Sequence, residues 1–177
     1  MNTGHRILLF TGDGKGKTTA AVGLGLRACG HGMRVKVFQF IKARGDTGEI
    51  AAVETLPNFD VEQVGRGFVR GTEGKEFSRH RRAAREGLEE VKSALQCGEY
   101  DVVIMDEVCV AVAKGLLDEE AVMDVLPEGE DNGERIVVMT GRGATDGLIQ
   151  LADTVTEMRC VKHALQEGRE ALKGVEL

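Results

Sequence analysis

A glycine-rich turn that carries two lysines follows the first apolar run of the chain. Residues 11–19 read Thr-Gly-Asp-Gly-Lys-Gly-Lys-Thr-Thr and come directly after Ile-Leu-Leu-Phe at 7–10. Glycines let backbone N–H groups converge on a polyphosphate, Lys17 supplies a positive charge, and the Thr18 hydroxyl is a ligand type that suits Mg²⁺. The turn therefore predicts a nucleoside triphosphate site, with these candidate binding residues: Gly12, Asp13, Gly14, Lys15, Gly16, Lys17, Thr18 and Thr19.

The alternative for this turn is a flexible glycine connection between two elements. The strict phosphate-loop template has glycine at the first position, where this chain has Thr11, so the match is one residue short. Residues 18–29, however, are rich in Ala, Leu and Gly at helical spacing. A helix that begins at the loop points the positive end of its dipole at bound phosphates. A strand before the turn and a helix after it favour the phosphate site.

Two carboxylates follow another apolar run, at the point where a strand would end. The run 102–105 leads into Asp106 and Glu107. Such a pair opposite a phosphate loop can hold Mg²⁺ or a metal-bound water. The residues leave open which carboxylate holds the metal or its water and which orients it or polarises water. Thr18, Asp106 and Glu107 are therefore all candidate metal-site residues, and Lys17 and Glu107 are candidate catalytic groups.

An arginine lies between two glycines after the run 136–140, in the sequence Thr-Gly-Arg-Gly. The carboxyl ends of parallel strands are where α/β proteins bind ligands, so Arg142 is a third candidate catalytic residue, able to reach a phosphate or a substrate carboxylate. The alternative is a surface turn in which Arg142 pairs with Asp146 or Asp153. The residues alone leave these two interpretations open.

Strand-like and helix-like segments alternate along the chain. Apolar runs predict strands at 6–10, 35–40, 61–64, 102–105, 136–140 and, more weakly, 154–158. Helices are predicted at 18–29, 48–56, 75–96, 118–126 and 145–151. Four of the runs are almost continuously apolar, as in strands buried on both faces. We predict a single domain over residues 1–177 with an α/β fold of the P-loop NTPase (RecA-like) class, in which helices flank a mostly parallel central sheet of five to six strands.

The predicted helix at 75–96 has one apolar stripe and otherwise charged faces. The stripe consists of Phe77, Ala84, Leu88, Val91 and Leu95. The basic cluster Arg-His-Arg-Arg at 79–82 has two interpretations, a patch for an anionic ligand and a solvated helix face. The solvated face is favoured.

Composition limits the classes of function. A net charge of −6, 4% aromatic residues and no Trp argue against a nucleic-acid partner. The first residues contain no signal-peptide apolar region, and no run reaches membrane-spanning length. The four cysteines form no Cys-x-x-Cys pair. We therefore expect a cytoplasmic protein, without a membrane partner, whose reduced cysteines fill its core.

No nucleophile is evident among the side chains of the chain. Spacing indicates neither a Ser-His-Asp nor a Cys-His set, and His163, in a Val-Lys-His stretch, is predicted to cap or pack rather than to act as a base. Any chemistry would then use a nucleophile that the protein does not supply.

A collinear set of short motifs runs from residue 9 to about residue 174. It comprises residues 11–21, Arg-Ala at 27–28, Gly-His-Gly at 30–32, Val-Phe-Gln-Phe-Ile-Lys at 37–42, Gly-Phe at 67–68, Asp-Glu at 106–107, Thr-Gly-Arg-Gly at 140–143, Leu-Ala-Asp-Thr-Val-Thr-Glu-Met at 151–158 and Val-Lys-His-Ala at 161–164. With this set the chain resembles the ATP:corrinoid adenosyltransferases of the CobA/CobO/BtuR type. The phosphate loop of that family also has threonine where the strict template has glycine, so Thr11 supports the resemblance.

The resemblance implies a reaction. A reduced Co(I) corrinoid, cobalamin or cob(I)yrinic acid a,c-diamide, attacks the 5′-carbon of ATP and releases triphosphate, in adenosylcobalamin synthesis or salvage. Co(I) is itself a strong nucleophile, which agrees with the missing protein nucleophile. The family binds ATP in reverse, with the γ-phosphate where other P-loop enzymes hold the α-phosphate.

Matched positions imply further site residues and partners. Arg27 would approach the ribose, and Gln39 and Lys42 would line the same pocket. Phe68 would pack against the corrin and help to remove the lower ligand of cobalt. The resemblance also implies Mg²⁺ or Mn²⁺, a flavoprotein or flavodoxin reductant, and a homodimer.

The chain departs from the family pattern at three places. Arg70 stands where members with a Gly-Phe-Thr-Trp loop have tryptophan, only residues 1–5 precede the first strand, and residues 174–177 read Gly-Val-Glu-Leu where members often end in an aromatic residue. We therefore expect a less aromatic loop at the corrin, and a corrin pocket that is either more open or closed by another segment. Two other functions are kept as alternatives. One is a RecA-like ATPase or small-molecule kinase, which the same loop and carboxylates would serve; the other is a non-catalytic protein that binds corrinoid and ATP.

Overall fold

Six strands form one parallel sheet in the computed structural model of the protein, which describes residues 4–42, 48–53, 55–69, 71–127 and 134–175. The strands are β1 (Arg6–Thr11), β2 (Val35–Gln39), β3 (Phe59–Gln63), β4 (Val102–Asp106), β5 (Ile136–Thr140) and β6 (Thr154–Glu157). They lie in the order β3-β2-β4-β5-β1-β6, and all neighbouring strands are parallel. The predicted α/β fold with a parallel central sheet is confirmed, and the loop after β1 fits the P-loop class.

Helices cover both faces of this sheet. They are α1 (Lys17–Gly30), α2 (Gly48–Val53), α3 (Gly74–Gln96), α4 (Val108–Ala113), α5 (Glu119–Asp124) and α6 (Asp146–Leu151), and a 3-10 helix (Ala164–Glu167) follows β6. Buried residues of α1 and α2 belong to the core on one face, and those of α3 to α6 belong to the core on the other. The result is three layers, helix–sheet–helix.

Alternating side chains of the central strands supply both cores. In β4, Val102 and Ile104 pack with α1 and α2, whereas Val103 and Met105 pack with the helices of the opposite face. Every residue of β4 is buried. Burying a Val or Ile side chain stabilises the fold by roughly 1.5–3 kcal/mol, and two covered faces explain why this run has no polar alternation.

The structure adds two elements that the sequence does not predict and shortens others. α4 and the 3-10 helix have six and four residues, too few for a helical period to show. Valine fills half of α4, and β-branched residues are poor helix formers. α5 ends at Asp124 and α2 at Val53, before the predicted ends next to Pro127 and Pro57.

The apolar stripe of α3 is confirmed, but the basic cluster is not one solvated face. Ala84, Leu88, Val91 and Leu95 are buried, and Phe77 packs against the same core. Within the cluster, His80 is only 6% exposed. Consecutive helical positions are about 100° apart, so four of them cannot share one face.

The cysteines only partly follow the prediction. All four are free, and Cys109 is buried, but Cys97 and Cys160 are exposed, so the expectation of a core role is wrong for these two. Burial raises the pKa of the Cys109 thiol to about 12, which makes it unreactive. Within the described ranges no helix is long and apolar enough to cross a membrane. Arg70 lies outside the described residues.

Candidate active site

All six strands end in a polar residue at one edge of the sheet. These residues are Thr11, Gln39, Gln63, Asp106, Thr140 and Glu157. Because the strands are parallel, their carboxyl ends and the loops that follow them lie on the same side. The predicted site residues that lie in the phosphate loop or next to the strand ends therefore meet at this edge.

The predicted phosphate loop connects β1 to α1 there. Gly16 precedes the helix with a φ of 114°, a left-handed conformation that favours glycine. α1 begins at Lys17, so the unpaired N–H groups of its first turn point toward the loop. Strand, loop and helix occur as the sequence predicts.

Lys17 is folded over this loop. Its Nζ donates hydrogen bonds to the carbonyl oxygens of Gly12 and Gly14, each at 2.6 Å, and the residue is 6% exposed. Burial, with the positive charge of Arg142, lowers the pKa of Lys17, while Glu107 and Asp13 oppose this shift. Phosphate oxygens beside the ammonium group would favour its charged form far more than carbonyl dipoles do.

The residues at the end of β6 support the phosphate loop. Met158 N–H donates to the Thr11 carbonyl at 2.8 Å, and Gly14 N–H donates to the Met158 carbonyl at 2.7 Å. A Cβ at Gly14 would lie 2.6 Å from that Met158 oxygen, so only glycine fits. The sequence gives no signal for this contact, because it requires β6 to pair with β1, and these two strands lie at opposite ends of the chain.

Asp106 is the centre of a hydrogen-bonded cluster beside the loop. Its Oδ1 accepts hydrogen bonds from the hydroxyls of Thr18 at 2.7 Å and Thr140 at 2.8 Å. Its Oδ2 accepts one from Nε2 of Gln39 at 3.2 Å and lies 3.9 Å from Nζ of Lys42. The residue is fully buried, and these partners replace the water that a carboxylate loses on burial.

Two further side chains extend the cluster. Nε2 of Gln63 donates to Oε1 of Gln39 at 3.0 Å. The Thr140 hydroxyl, which donates to Asp106, accepts a hydrogen bond from the N–H of Glu107 at 2.9 Å. Neither Gln63 nor Thr140 is predicted from the sequence as a site residue. The signal that would identify both is a polar residue at the carboxyl end of an apolar strand.

Glu107 has an unusual backbone and a perturbed carboxyl group. Its φ of 63° is left-handed, and no other described residue except glycine has a positive φ. Burial and the negative charge of Asp106 raise the pKa of Glu107, whereas Lys17, Lys42 and Arg142 oppose the shift. The structure therefore places three cations within electrostatic reach of this carboxylate.

Arg142 lies against the phosphate loop. Its Nη2 donates to the carbonyl oxygen of Asp13 at 3.3 Å. Asp153, one of the alternative partners considered for it, accepts a hydrogen bond from the backbone N–H of Ile7 at 2.8 Å instead. This position favours the ligand-binding interpretation over the surface turn.

Other predicted site residues lie away from the Asp106 cluster. Arg27 is exposed and follows Lys17 by about 15 Å along α1, so the two cannot meet the same phosphate. Phe68 is 90% exposed in the segment after β3. Lys15 lines a cavity of about 390 Å³ with residues 159–164. There Nδ1 of His163 accepts from the Leu165 N–H at 3.3 Å, which confirms its predicted capping role.

The oxygen donors beside the loop fit a magnesium ion. Mg²⁺ prefers hydroxyl, carboxylate and phosphate oxygens and needs only one or two protein carboxylates. In the described part of the chain no three His, Cys, Asp or Glu side chains converge as a metal cage. Both oxygens of Asp106 already accept hydrogen bonds, so Thr18 and Glu107 are the better direct ligands.

Comparison with known proteins agrees with this geometry. The sequence profile of the family described as ATP:corrinoid adenosyltransferase BtuR/CobO/CobP matches residues 3–177. The corrinoid adenosyltransferase of Escherichia coli K12 is 39% identical over 170 residues, 96% of this chain and 84% of the relative. That of Pseudomonas aeruginosa is 38% identical over 171 residues, 96% of this chain and 82% of the relative. The corrinoid adenosyltransferase CobA of Salmonella typhimurium is 38% identical over 170 residues, 96% and 84% of the two chains. The chain belongs to the ATP:corrinoid adenosyltransferase family.

Proposed function

We propose that this protein, as one domain over residues 1–177, transfers the 5′-deoxyadenosyl group of ATP to the cobalt of a Co(I) corrinoid and releases triphosphate. Family membership supports the reaction class and both substrates. The observation that carries the proposal is the hydrogen bond from Thr18, in the phosphate loop, to the buried Asp106 beside Glu107. It joins the loop to the carboxylates in the arrangement that a metal-bound triphosphate requires.

The proposed chemistry breaks one bond and forms one. The electron pair of Co(I) forms the cobalt–carbon bond to C5′, while the bond from C5′ to the bridging oxygen breaks and its electrons leave with triphosphate. Negative charge therefore builds on the leaving group, and the site needs cations and N–H donors around it rather than a general base. Lys17, Arg142 and the first turn of α1 provide them.

ATP is proposed to lie with its γ-phosphate innermost in the loop. The whole triphosphate then rests on the loop N–H groups as it departs, and C5′ lies at the outer end, where cobalt can approach it. The resemblance assigns Arg27 to the ribose, but this residue lies about 15 Å from Lys17 along α1, which runs from the loop toward the opposite edge of the sheet, so no contact with the nucleotide is proposed for it within one chain.

One Mg²⁺, replaceable by Mn²⁺, is proposed at Thr18 and Glu107. When bound it would neutralise charge on the triphosphate oxygens. The Asp106 carboxylate accepts the Thr18 hydroxyl hydrogen and so leaves the hydroxyl lone pairs directed away from itself, toward the ligand. Gln39 and Lys42 contact the other oxygen of Asp106, Oδ2, and so fix the orientation of the carboxylate.

Phe68 is proposed to pack against the corrin. β3, which precedes it, and β1 are four strand spacings apart in the sheet order, about 19 Å, so the edge has room for a macrocycle beside the nucleotide. The Phe68 ring is exposed, while the next residue, Val69, packs against the core. An exposed apolar ring on an anchored segment is suited to pack against the large apolar face of a ligand.

We further propose a homodimer and a flavoprotein or flavodoxin reductant that delivers the electron for Co(II) to Co(I), in the cytoplasm. Exposed apolar side chains after β6 support the homodimer, since such groups are commonly covered by a partner. They are Val161, Leu165, Leu172 and Val175. Whether the role is synthesis or salvage depends on the corrinoid that is preferred.

The direct test is incubation with ATP, Mg²⁺ and chemically reduced corrinoid. We expect a light-sensitive adenosylcorrinoid spectrum and one triphosphate for each cobalt–carbon bond. ADP or AMP without that bond would contradict the proposal and favour an ATPase or kinase. Binding of both substrates without turnover would favour a non-catalytic protein.

A further inference from the structure

An arginine-lined cleft lies outside the phosphate loop, between α3 and the segment that follows β3. Its volume is about 510 Å³. It is lined by Arg66, Ser78, Arg79, Arg82, Ala83 and Glu86. Three guanidinium groups and one carboxylate make it positive in a protein whose net charge is −6.

These arginines are only weakly engaged. Arg82 pairs with Glu86 at 3.2 Å and Arg79 with Glu76 at 3.4 Å, in exposed pairs within α3, and such pairs contribute little. Arg66 forms no ion pair with any described residue. The neighbouring Arg85, by contrast, reaches Asp118 at 3.2 Å, and so ties α3 to the start of α5.

The wall that carries Arg66 is fixed to the sheet. Gly65 N–H donates to the Gln39 carbonyl at 3.0 Å, and Gly67 N–H donates to the Ile41 carbonyl at 2.9 Å. This segment starts at the carboxyl end of β3, so the cleft lies at the same edge as the phosphate loop. Phe68, the proposed corrin contact, comes two residues after Arg66.

We propose that the cleft formed by Arg66, Arg79 and Arg82 binds an anionic group on the periphery of the corrinoid. The proposal rests on the proposed function and adds a determinant of substrate choice. Guanidinium forks bind carboxylate and phosphate in two-point contacts. A corrinoid presents such groups from two sources: free side-chain carboxylates in incompletely amidated forms, and the phosphodiester of a nucleotide loop in complete forms. With Phe68 against the ring, a group at the ring edge would reach the cleft.

The test compares the double variant Arg66→Gln/Arg79→Gln with the control Arg85→Gln, which removes one charge from α3 outside the cleft. Three reduced corrinoids are used: one with free carboxylates, one with a phosphodiester nucleotide loop, and one fully amidated without that loop. We expect the double variant to raise KM for at least one anionic corrinoid by about tenfold or more. KM for ATP and for the uncharged corrinoid should change less than about twofold, as should all values for the control.

The three corrinoids distinguish the two sources of the anionic group that the cleft is proposed to bind. A change for the carboxylate form alone assigns the cleft to side-chain carboxylates, and a change for the nucleotide form alone assigns it to the phosphodiester. Equal changes for all three, or none, would overturn the proposal. Equilibrium dialysis of the same corrinoids in their oxidised forms is measured in parallel, together with thermal unfolding of each variant. If the wild type formed no adenosylcorrinoid, the proposed function would fail, and the dialysis would still decide whether the cleft discriminates charge.

Discussion

At the scale of single residues, the site depends on one carboxylate that has no contact with solvent. Asp106 accepts hydrogen bonds from three side chains on three elements, α1, β2 and β5. Its position was predictable, because a carboxylate that ends an apolar strand opposite a phosphate loop is typical of a nucleotide site. Gln63 and Thr140 were not predictable as partners, since neutral polar residues end many strands and only the order of the sheet shows which of them meet.

The Glu107 carboxylate is expected to increase turnover without stabilising the fold. Glu107→Gln should lower turnover by about 100-fold or more, because it removes the charge that is proposed to hold Mg²⁺ at the leaving group. It should not lower the free energy of unfolding at pH 7, because burial and Asp106 already disfavour the ionised carboxylate. Turnover with Co(I) corrinoid and urea denaturation measure the two effects, with the exposed Glu120→Gln as control. A variant that was both active and less stable would contradict the assignment.

The same group gives a pH dependence of stability. The folded-state pKa of Glu107 lies above its ordinary value of 4.5, so the folded protein binds this proton more tightly than the unfolded chain does. The resulting stabilisation is complete below pH 4.5 and is lost as the pH rises through the folded-state pKa. The difference in unfolding free energy between wild type and Glu107→Gln should therefore change in that window and stay constant above it.

Two substitutions test the Thr18 hydroxyl, which donates to Asp106 and is proposed to bind Mg²⁺. Thr18→Ser keeps the hydrogen bond to Asp106 and should retain most activity. Thr18→Val removes it, so the Mg²⁺ concentration for half-maximal turnover should rise by about tenfold or more, and the protein should lose about 1–3 kcal/mol because a buried charge loses a partner. Metal titrations and denaturation curves of both variants provide the measurements. An unchanged Mg²⁺ dependence in Thr18→Val would remove Thr18 from the metal site.

At the scale of elements, the sequence predicts the strands, loops and helices that a local pattern of residues encodes, but not the contacts between distant segments. β1, the loop and α1 form one continuous signal of apolar run, glycines and helical spacing, and they occur where predicted. The support of the loop by Met158 joins residues about 145 positions apart in the chain, and no local pattern encodes such a contact. α4 was missed for a different reason, because its six residues are held by burial of Val108, Cys109 and Ala111 rather than by helix propensity.

The contact between the loop and β6 is tested by paired glycine substitutions. In Gly14→Ala the new methyl group would meet the backbone of Met158 and Arg159 at 2.6–2.8 Å, so we expect a loss of about 1–3 kcal/mol and a raised KM for ATP. Gly23→Ala is the matched control, because its methyl group would have no neighbour within 4 Å and α1 should gain roughly 0.5–1 kcal/mol. Thermal unfolding and ATP kinetics compare them. Equal effects of the two changes on KM would show that this packing is irrelevant to ATP.

At the scale of the whole molecule, the order of the strands decides what the site can hold. The sequence predicts the strands but not that β3 and β1 stand four spacings apart, because periodicity says nothing about which strands are neighbours. This order places Phe68 and the arginine-lined cleft at one end of the edge and the phosphate loop toward the other. A site for two large substrates follows from the arrangement of the sheet rather than from any one motif.

The segment after β6 carries the last prediction, which concerns assembly. Val161 is 94% exposed and Leu165 is 57% exposed, beside the cavity that Lys15 lines. If a second copy covers these side chains, the wild type should have twice the 19.1 kDa mass of the chain in sedimentation equilibrium, and its unfolding temperature should rise with protein concentration. Val161→Asp/Leu165→Asp should give monomers, because burying two carboxylates at an interface is costly. The control Ala51→Asp, on the exposed side of α2, should remain dimeric.

KM for ATP should rise in the monomeric variant alone, since the covered segment borders the phosphate loop. A wild type that stays monomeric at all concentrations would refute the assembly, and a monomeric variant with unchanged KM would separate the interface from the nucleotide site.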